Sequence, residues 1–260
     1  MKKDRIVFFT SGDFAIDTFE TLLNNGTNIV GLVTNNDAVK FHKSNIKDIA
    51  EIYRIPCYTI KTKDLGDDKF LIDWLKRIDA DIFCVISFNI LPQEIIKLAK
   101  KCAFGVHTSL LPFLRGFKSI NRAIELNYKE TGLTAFVLTD KIDCGDIIAN
   151  TKIEISTTDT YDTLYKKLSD LCVDFTGFVI NDVLQRKNWK KYLITQPTNE
   201  KKMKYLTPKI NIHTIESVDD FMDMSLCIFE NNLDVEDDIQ ITDGSQILIN
   251  KQSVWDNNYE

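Results

Sequence analysis

No stretch of this chain approaches the roughly 20 consecutive apolar residues that a membrane helix needs, so no membrane partner is expected. The opening, Met1-Lys2-Lys3-Asp4-Arg5, runs straight into Ile6–Phe9, which is too short for the apolar core of a signal peptide; the expectation is a cytoplasmic protein. Glycine and proline are scarce, at ten and five in 260 residues, which argues against fibrous or long disordered segments. Cysteine is sparse and unpaired. The six residues stand singly at 57, 84, 102, 144, 172 and 227, with no CxxC to build a zinc site or a redox pair. The three histidines, His42, His107 and His213, lie in distant segments, and no metal is expected.

What remains is an ordinary soluble composition, 44% hydrophobic and 27% charged, in a chain long enough for one large domain with a small appendage. The net charge of −6 is unevenly spread. Residues 211–260 hold twelve acids (Glu216, Asp219, Asp220, Asp223, Glu230, Asp234, Glu236, Asp237, Asp238, Asp243, Asp256 and Glu260) against one base, Lys251. Such a segment repels phosphate backbones, so no nucleic-acid partner is expected for it.

Strand-like and helix-like runs alternate up to about residue 187. Strands are expected at Arg5–Thr10, Asn28–Thr34, Cys57–Ile60, Ala80–Ser87, Ala103–Val106, Thr131–Thr139 and Asp146–Ile155. Helices are expected at Asp13–Asn24, from a Ser44 cap through Ile46, Ile49, Ala50 and Tyr53, at Asp68–Ile78 with Phe70, Leu71, Trp74 and Leu75 inward, at Pro92–Lys101 and at Ser119–Asn127. A last, long helix starts after a Thr157-Thr158-Asp159 cap and runs to about Lys187. Continuous apolar strands such as Ala80–Ser87 indicate a sheet covered on both faces. The progression predicts an α/β fold with a mostly parallel, Rossmann-like sheet. Its first turn, Thr10-Ser11-Gly12-Asp13, is not GxGxxG, so no dinucleotide is inferred. The expected domains are 1–190, a linker over 191–209, and a small acidic β-rich appendage over 210–260 with a hairpin around Asp243-Gly244.

The chemistry-bearing residues cluster in two places. His107-Thr108-Ser109-Leu110-Leu111-Pro112-Phe113-Leu114-Arg115-Gly116 follows an apolar strand, and Asp143-Cys144-Gly145-Asp146 begins 27 residues after Gly116. An imidazole at a strand end can donate to a developing oxyanion or relay a proton near neutral pH. Asp143 reads either as a turn residue bonding its own backbone or as a carboxylate that orients His107 and accepts a proton. Asp140 and Asp146 compete for that role, and the Asp143-x-Gly145 spacing favours Asp143. Arg115 reads equally as an anion receptor or a surface ion-pair partner.

These motifs resemble the catalytic domain of the folate-dependent formyltransferases over Arg5 to about Lys187. Phe9-Thr10-Ser11-Gly12-Asp13-Phe14-Ala15 is similar to that family's opening turn, and Ser87-Phe88-Asn89-Ile90-Leu91-Pro92 to its folate-lining loop. His107–Gly116 resembles its His-x-Ser-Leu-Leu-Pro-x-x-Arg-Gly signature, and Glu130-Thr131-Gly132-Leu133-Thr134 and Asp143-x-Gly145-Asp146 follow in place. The resemblance implies formyl transfer from N10-formyltetrahydrofolate to an amine, without metal. It implies His107 and Asp143 as catalytic residues, Phe88, Ile90, Leu91 and Asp143 on the folate side, and Ser11, Gly12 and Arg115 on the acceptor side. The family carries an asparagine two residues before the histidine, where this chain has Gly105. Three replacements are open: a water or backbone N–H in the space glycine leaves, a side chain such as Asn89 or Asn121, or a binding homologue impaired in catalysis. Of the family's branches, which include methionyl-tRNA and glycinamide ribonucleotide formyltransferases, the nucleotide-sugar N-formyltransferases of surface-polysaccharide (O-antigen) synthesis resemble this chain best in length, opening turn and small appendage. The acceptor implied is a dTDP- or UDP-linked amino-deoxysugar, and the enzyme a homodimer; a tRNA acceptor is the alternative.

Overall fold

Strand β1 (Ile6–Thr10) is apolar at nearly every position because both of its faces are buried. Ile6 and Phe8 enter the packed layer on one side of the sheet, and Val7 and Phe9 the layer on the other. A computed structural model describes residues 3–35, 45–60, 65 and 67–197, together with the backbone of 239–242 and 246–249. After β1 come α1 (Ile16–Asn24), β2 (Ile29–Asn35), α2 (Ile46–Ile52), β3 (Cys57–Ile60), α3 (Lys69–Ile78), β4 (Ile82–Ile86), α4 (Gln93–Ile96), β5 (Cys102–His107), α5 (Ser119–Glu125), β6 (Glu130–Val137), β7 (Ile147–Glu154) and α6 (Tyr161–Phe178). The sheet order is β3-β2-β1-β4-β5-β6-β7. The first five strands are parallel, and β6 pairs antiparallel with both β5 and β7, so it alone runs against the rest of the sheet. The expected mostly parallel α/β architecture is what forms. Chain order reverses between β1 and β4, and ligands of open α/β sheets bind beyond the strand ends at such a point.

Helices α1, α2 and α6 bury Phe19, Leu22, Ile49, Leu164, Leu168 and Phe175 on one face, while α3 and α4 bury Leu71, Leu75 and Ile95 on the other. Phe8, Phe9, Phe19, Phe83 and Phe104 are fully buried, each stabilising the fold by roughly 1.5–3 kcal/mol. Helix α6 starts on a reciprocal cap: the Thr160 hydroxyl accepts the Thr163 N–H, and the Thr163 hydroxyl accepts the Thr160 N–H. Among the described residues no helix is long and apolar enough to cross a membrane.

Several local expectations are corrected. Phe70 is 81% exposed; the buried stripe of α3 centres on Leu71 and Leu75, and Phe70 precedes it in the first turn. Helix α4 spans four residues rather than ten, because the N–H groups of Lys100 and Lys101 already bond Ala80 and Asp81 ahead of β5. The long helix passes into a π turn over Val179–Val183, and Thr160, not the 157–159 triplet, is its cap. Ser44 lies outside the described residues; Asn45 caps α2 by accepting from Lys47 N at 3.0 Å. Packing also continues past residue 190, since Ile194 pairs with Ile147 of β7 and both Ile194 and Gln196 are buried. Strands β8 (Ile239–Thr242) and β9 (Gln246–Ile249) form the expected antiparallel hairpin; its tip, Asp243-Gly244, is outside the described residues.

Cys84, Cys102 and Cys172 are buried, and burial pushes the Cys102 thiol to about 12, the Cys172 thiol to about 11, and the Cys84 thiol well above its ordinary value. Only the thiolate reacts, so all three stay neutral and inert at about pH 8. Iodoacetamide treatment followed by peptide mass mapping is expected to label Cys57 and Cys144 in the native protein and the buried three only after denaturation. Native labelling of Cys84 or Cys172 at the Cys57 rate would contradict this packing.

Candidate active site

Residues two apart on a strand share a face, and here that rule assembles one wall of a site. Gly105 and His107 lie on the same face of β5. Across the ladders, Gly105 stands opposite Val85 of β4 and Phe136 of β6. These residues line a cleft of about 230 Å³ together with Phe88, Asn89, Ile90 and Leu91 after β4, Gly116, Phe117 and Lys118 before α5, Ser119 at its start, and Leu138, Thr139, Lys141, Ile142 and Asp143, but not Asp140, after β6. Thus His107, Asp143, Gly105, Phe88, Ile90 and Leu91, named from sequence, converge on one surface. Ser11, Gly12 and Arg115 do not line it. Ser11 instead ties the β1 loop to the β4 loop, with N and Oγ both donating to Ser87 O at 2.9 and 2.6 Å.

The His107 ring is held at both nitrogens. Nε2 lies 2.9 Å from the Leu114 carbonyl, which only accepts, so Nε2 carries a proton. Nδ1 faces Asp143 Oδ2 at 3.5 Å. Both side chains are mostly buried, at 11% and 19% exposed. The neutral Nε2–H tautomer would turn a lone pair toward the carboxylate; a proton between Nδ1 and Asp143 makes both contacts favourable.

Asp143 is not a self-bonded turn residue. Its Oδ2 accepts the Gly116 N–H at 2.7 Å, across 27 residues of sequence. Its backbone is left-handed (φ 49°), a region that Asp tolerates better than most residues. Ser87, Leu114 and Lys118 also have positive φ. With Asp143 they bring four strained residues to this region, as is common where geometry serves function. Gly145 explains the Asp-x-Gly spacing: a Cβ there would fall 1.7 Å from the Val137 carbonyl oxygen, so only glycine lets this loop lie against β6.

The loop from His107 to Gly116 is pinned from beneath. Thr134, opposite His107 on β6 and fully buried, accepts from Leu111 N at 3.0 Å and donates to Ser109 O at 2.7 Å. Ser109 Oγ donates to Phe113 O at 2.6 Å. Sequence reasoning missed this anchor, the Leu114 carbonyl, and Gln196. The buried Gln196 receives the Arg115 guanidinium and donates to the Asp143 and Gly145 carbonyls. Arg115, left open between anion receptor and ion-pair partner, thus has its guanidinium on a neutral carboxamide and on Pro197 O.

Gly105 lines the cleft, and a Cβ there would meet its cross-strand partner Phe136 and Leu138 at 3.0 Å, so a larger side chain would need these two to give by a few tenths of an ångström. Of the two carboxamides considered as substitutes, Asn89 lines the cleft and Asn121 does not. Phe88, Ile90 and Leu91 give the cleft an apolar wall, with the Phe88 ring edge-on to Phe9 at 5.8 Å. Among the described residues no group of three His, Cys, Asp or Glu could hold a metal.

The family model described as "Formyl transferase" matches residues 4–175. Methionyl-tRNA formyltransferase of Azobacteroides pseudotrichonymphae is 37% identical over 215 residues, covering 80% of this chain and 65% of its own. The enzyme of that name from Bacteroides fragilis is 35% identical over 178 residues, covering 66% and 54%. The chain therefore spans less than two thirds of the length of these relatives. Among solved structures, phosphoribosylglycinamide formyltransferase from Bacillus halodurans superposes with a TM-score of 0.62 at 20% identity, covering 70% of this chain and 96% of that one, a likeness of fold. With the matched region spanning β1 through most of α6 and enclosing His107, Gly145 and the Asp143 loop, the chain belongs to the formyl transferase family.

Proposed function

We propose that this protein transfers a formyl group from N10-formyltetrahydrofolate to the amine of a nucleotide-linked (dTDP or UDP) amino-deoxysugar. The observation that carries the transfer chemistry is the convergence of His107, Asp143 and the Phe88–Leu91 wall on one cleft. The folate supplies a formyl carbon bonded to a nitrogen that leaves. The acceptor amine attacks that carbon and loses one proton, and the departing folate nitrogen gains one. Asp143, fixed by Gly116 N–H and facing His107, is the carboxylate placed to take the amine proton. His107, with Nε2 committed to Leu114 O, sustains the carboxylate through Nδ1. With no side chain at Gly105, the formyl oxygen falls to Asn89, the sole carboxamide among the described residues lining the cleft.

Two features support a sugar nucleotide over tRNA as the acceptor. The twelve acids and one base of residues 211–260 oppose a long phosphate backbone. Lys118 and Lys141, exposed and lining the cleft, suit a compact anion. The second reading, methionyl-tRNA, is favoured by the names of the relatives.

A panel of dTDP- and UDP-aminosugars, with methionyl-tRNA alongside, incubated with N10-formyltetrahydrofolate and read by mass, separates these readings. One formyl group gained by a single sugar is the expected result. Formylation of the tRNA alone would keep the chemistry and overturn the acceptor. Saturable folate binding with no product on any amine would mark a binding homologue. In the active pairing, Asp143→Asn is expected to lower turnover by roughly 10²–10⁴, and Asn89→Ala by about 10²–10³. Gly145→Ala is expected to abolish measurable turnover while leaving far-UV circular dichroism intact, since the displaced loop carries Asp143; turnover within twofold of the parent would contradict that role.

A further inference from the structure

Gln196 is 4% exposed and its carboxamide is used to capacity. Nε2 donates to Gly145 O at 2.6 Å and to Asp143 O at 3.1 Å. Oε1 accepts from Arg115 Nη2 at 2.5 Å and Arg115 Nε at 3.1 Å. A guanidinium only donates and a carbonyl only accepts, so the partners themselves fix which end of the amide is oxygen. Two residues earlier, Ile194 exchanges both backbone hydrogen bonds with Ile147 of β7, at 2.8 and 3.0 Å, which sets the register of Gln196.

These bonds close a ring. Arg115 is joined covalently to Gly116; Gly116 N–H bonds the Asp143 carboxylate; the Asp143 carbonyl bonds Gln196; and Gln196 bonds Arg115. The two loops that meet at the active site are thus tied once by the carboxylate itself and a second time by Gln196. The second tie matters because Asp143 sits at φ 49°, a conformation that persists only where its surroundings over-determine it.

We propose that Gln196 is a positioning residue for formyl transfer: it straps the Arg115 loop to the Asp143 loop and so holds the Asp143 carboxylate against His107. The inference rests on the formyl-transfer reading and extends it past residue 175, where the family match ends. The strap acts on the placement of one proton acceptor and leaves the apolar folate wall untouched. It therefore bears on turnover and not on donor affinity.

Gln196→Leu keeps the volume and removes all four bonds. Gln196→Glu keeps a partner for Arg115 but turns an oxygen toward the Asp143 and Gly145 carbonyls, breaking both ties to the Asp143 loop and no others. Both variants of the full chain would be assayed for formyl transfer, for thermal melting, and for hydrogen exchange at the Gly116 amide. Both are expected to lower kcat by about tenfold or more, as misplacing a catalytic group does, with KM for N10-formyltetrahydrofolate within about twofold and faster Gly116 exchange. Parent-like kcat and exchange in both variants would overturn the proposal. So would a kcat loss that disappears on cooling well below the melting midpoint, since that marks a merely structural role. If the parent chain transfers no formyl group, the formyl-transfer reading fails, and the exchange arm alone decides the strap: faster exchange supports it and unchanged exchange refutes it.

Discussion

A carbonyl oxygen has no proton to give, and that constraint organises the whole site. Because His107 Nε2 must donate to Leu114 O, the ring's other nitrogen is the one that faces Asp143. Everything near them serves to hold this geometry: Thr134 beneath the loop, the Gly116 amide on the carboxylate, glycine at 145 to admit the Asp143 turn, and Gln196 behind it. The Leu114 carbonyl itself is presented by a residue with left-handed backbone. The His107–Asp143 pair is therefore a product of two loops and two strands, not of the strand end that delivers His107.

Glycine at 105 gives the site its particular character. Opposite it in the ladder stands Phe136, whose ring, with Leu138, would touch a Cβ placed there at 3.0 Å, while the glycine itself lines the cleft. An apolar lining next to Asp143 and His107 lowers the local dielectric, which strengthens the interaction between the pair. Asn89 on the β4 loop is the carboxamide that lines the cleft among the described residues.

Much of this was legible in the sequence, and for a physical reason. Strands buried on both faces read as continuous apolar runs, which is why β1 and β4 were clear. His107, Asp143 and the Phe88–Leu91 loop sit in turn-rich segments at strand ends, where side chains are free to carry chemistry. Local periodicity failed where distant partners decide the outcome. Helix α4 is cut short by backbone bonds to residues ahead of β4, and Phe70 is exposed because the phase of α3 follows Leu71 and Leu75. Gln196 and the Leu114 carbonyl left no trace in composition or spacing. One is a single amide in a connector and the other a backbone atom, and each has meaning only once residues far apart in the chain are brought together.

The central claim is the proton arrangement at His107, and nitrogen-15 NMR of its ring across a pH series tests it most directly. The account predicts that the proton of the neutral ring sits on Nε2, directed at the Leu114 carbonyl. A neutral form with the proton on Nδ1 and a bare Nε2 is incompatible with the Leu114 contact and would contradict the account.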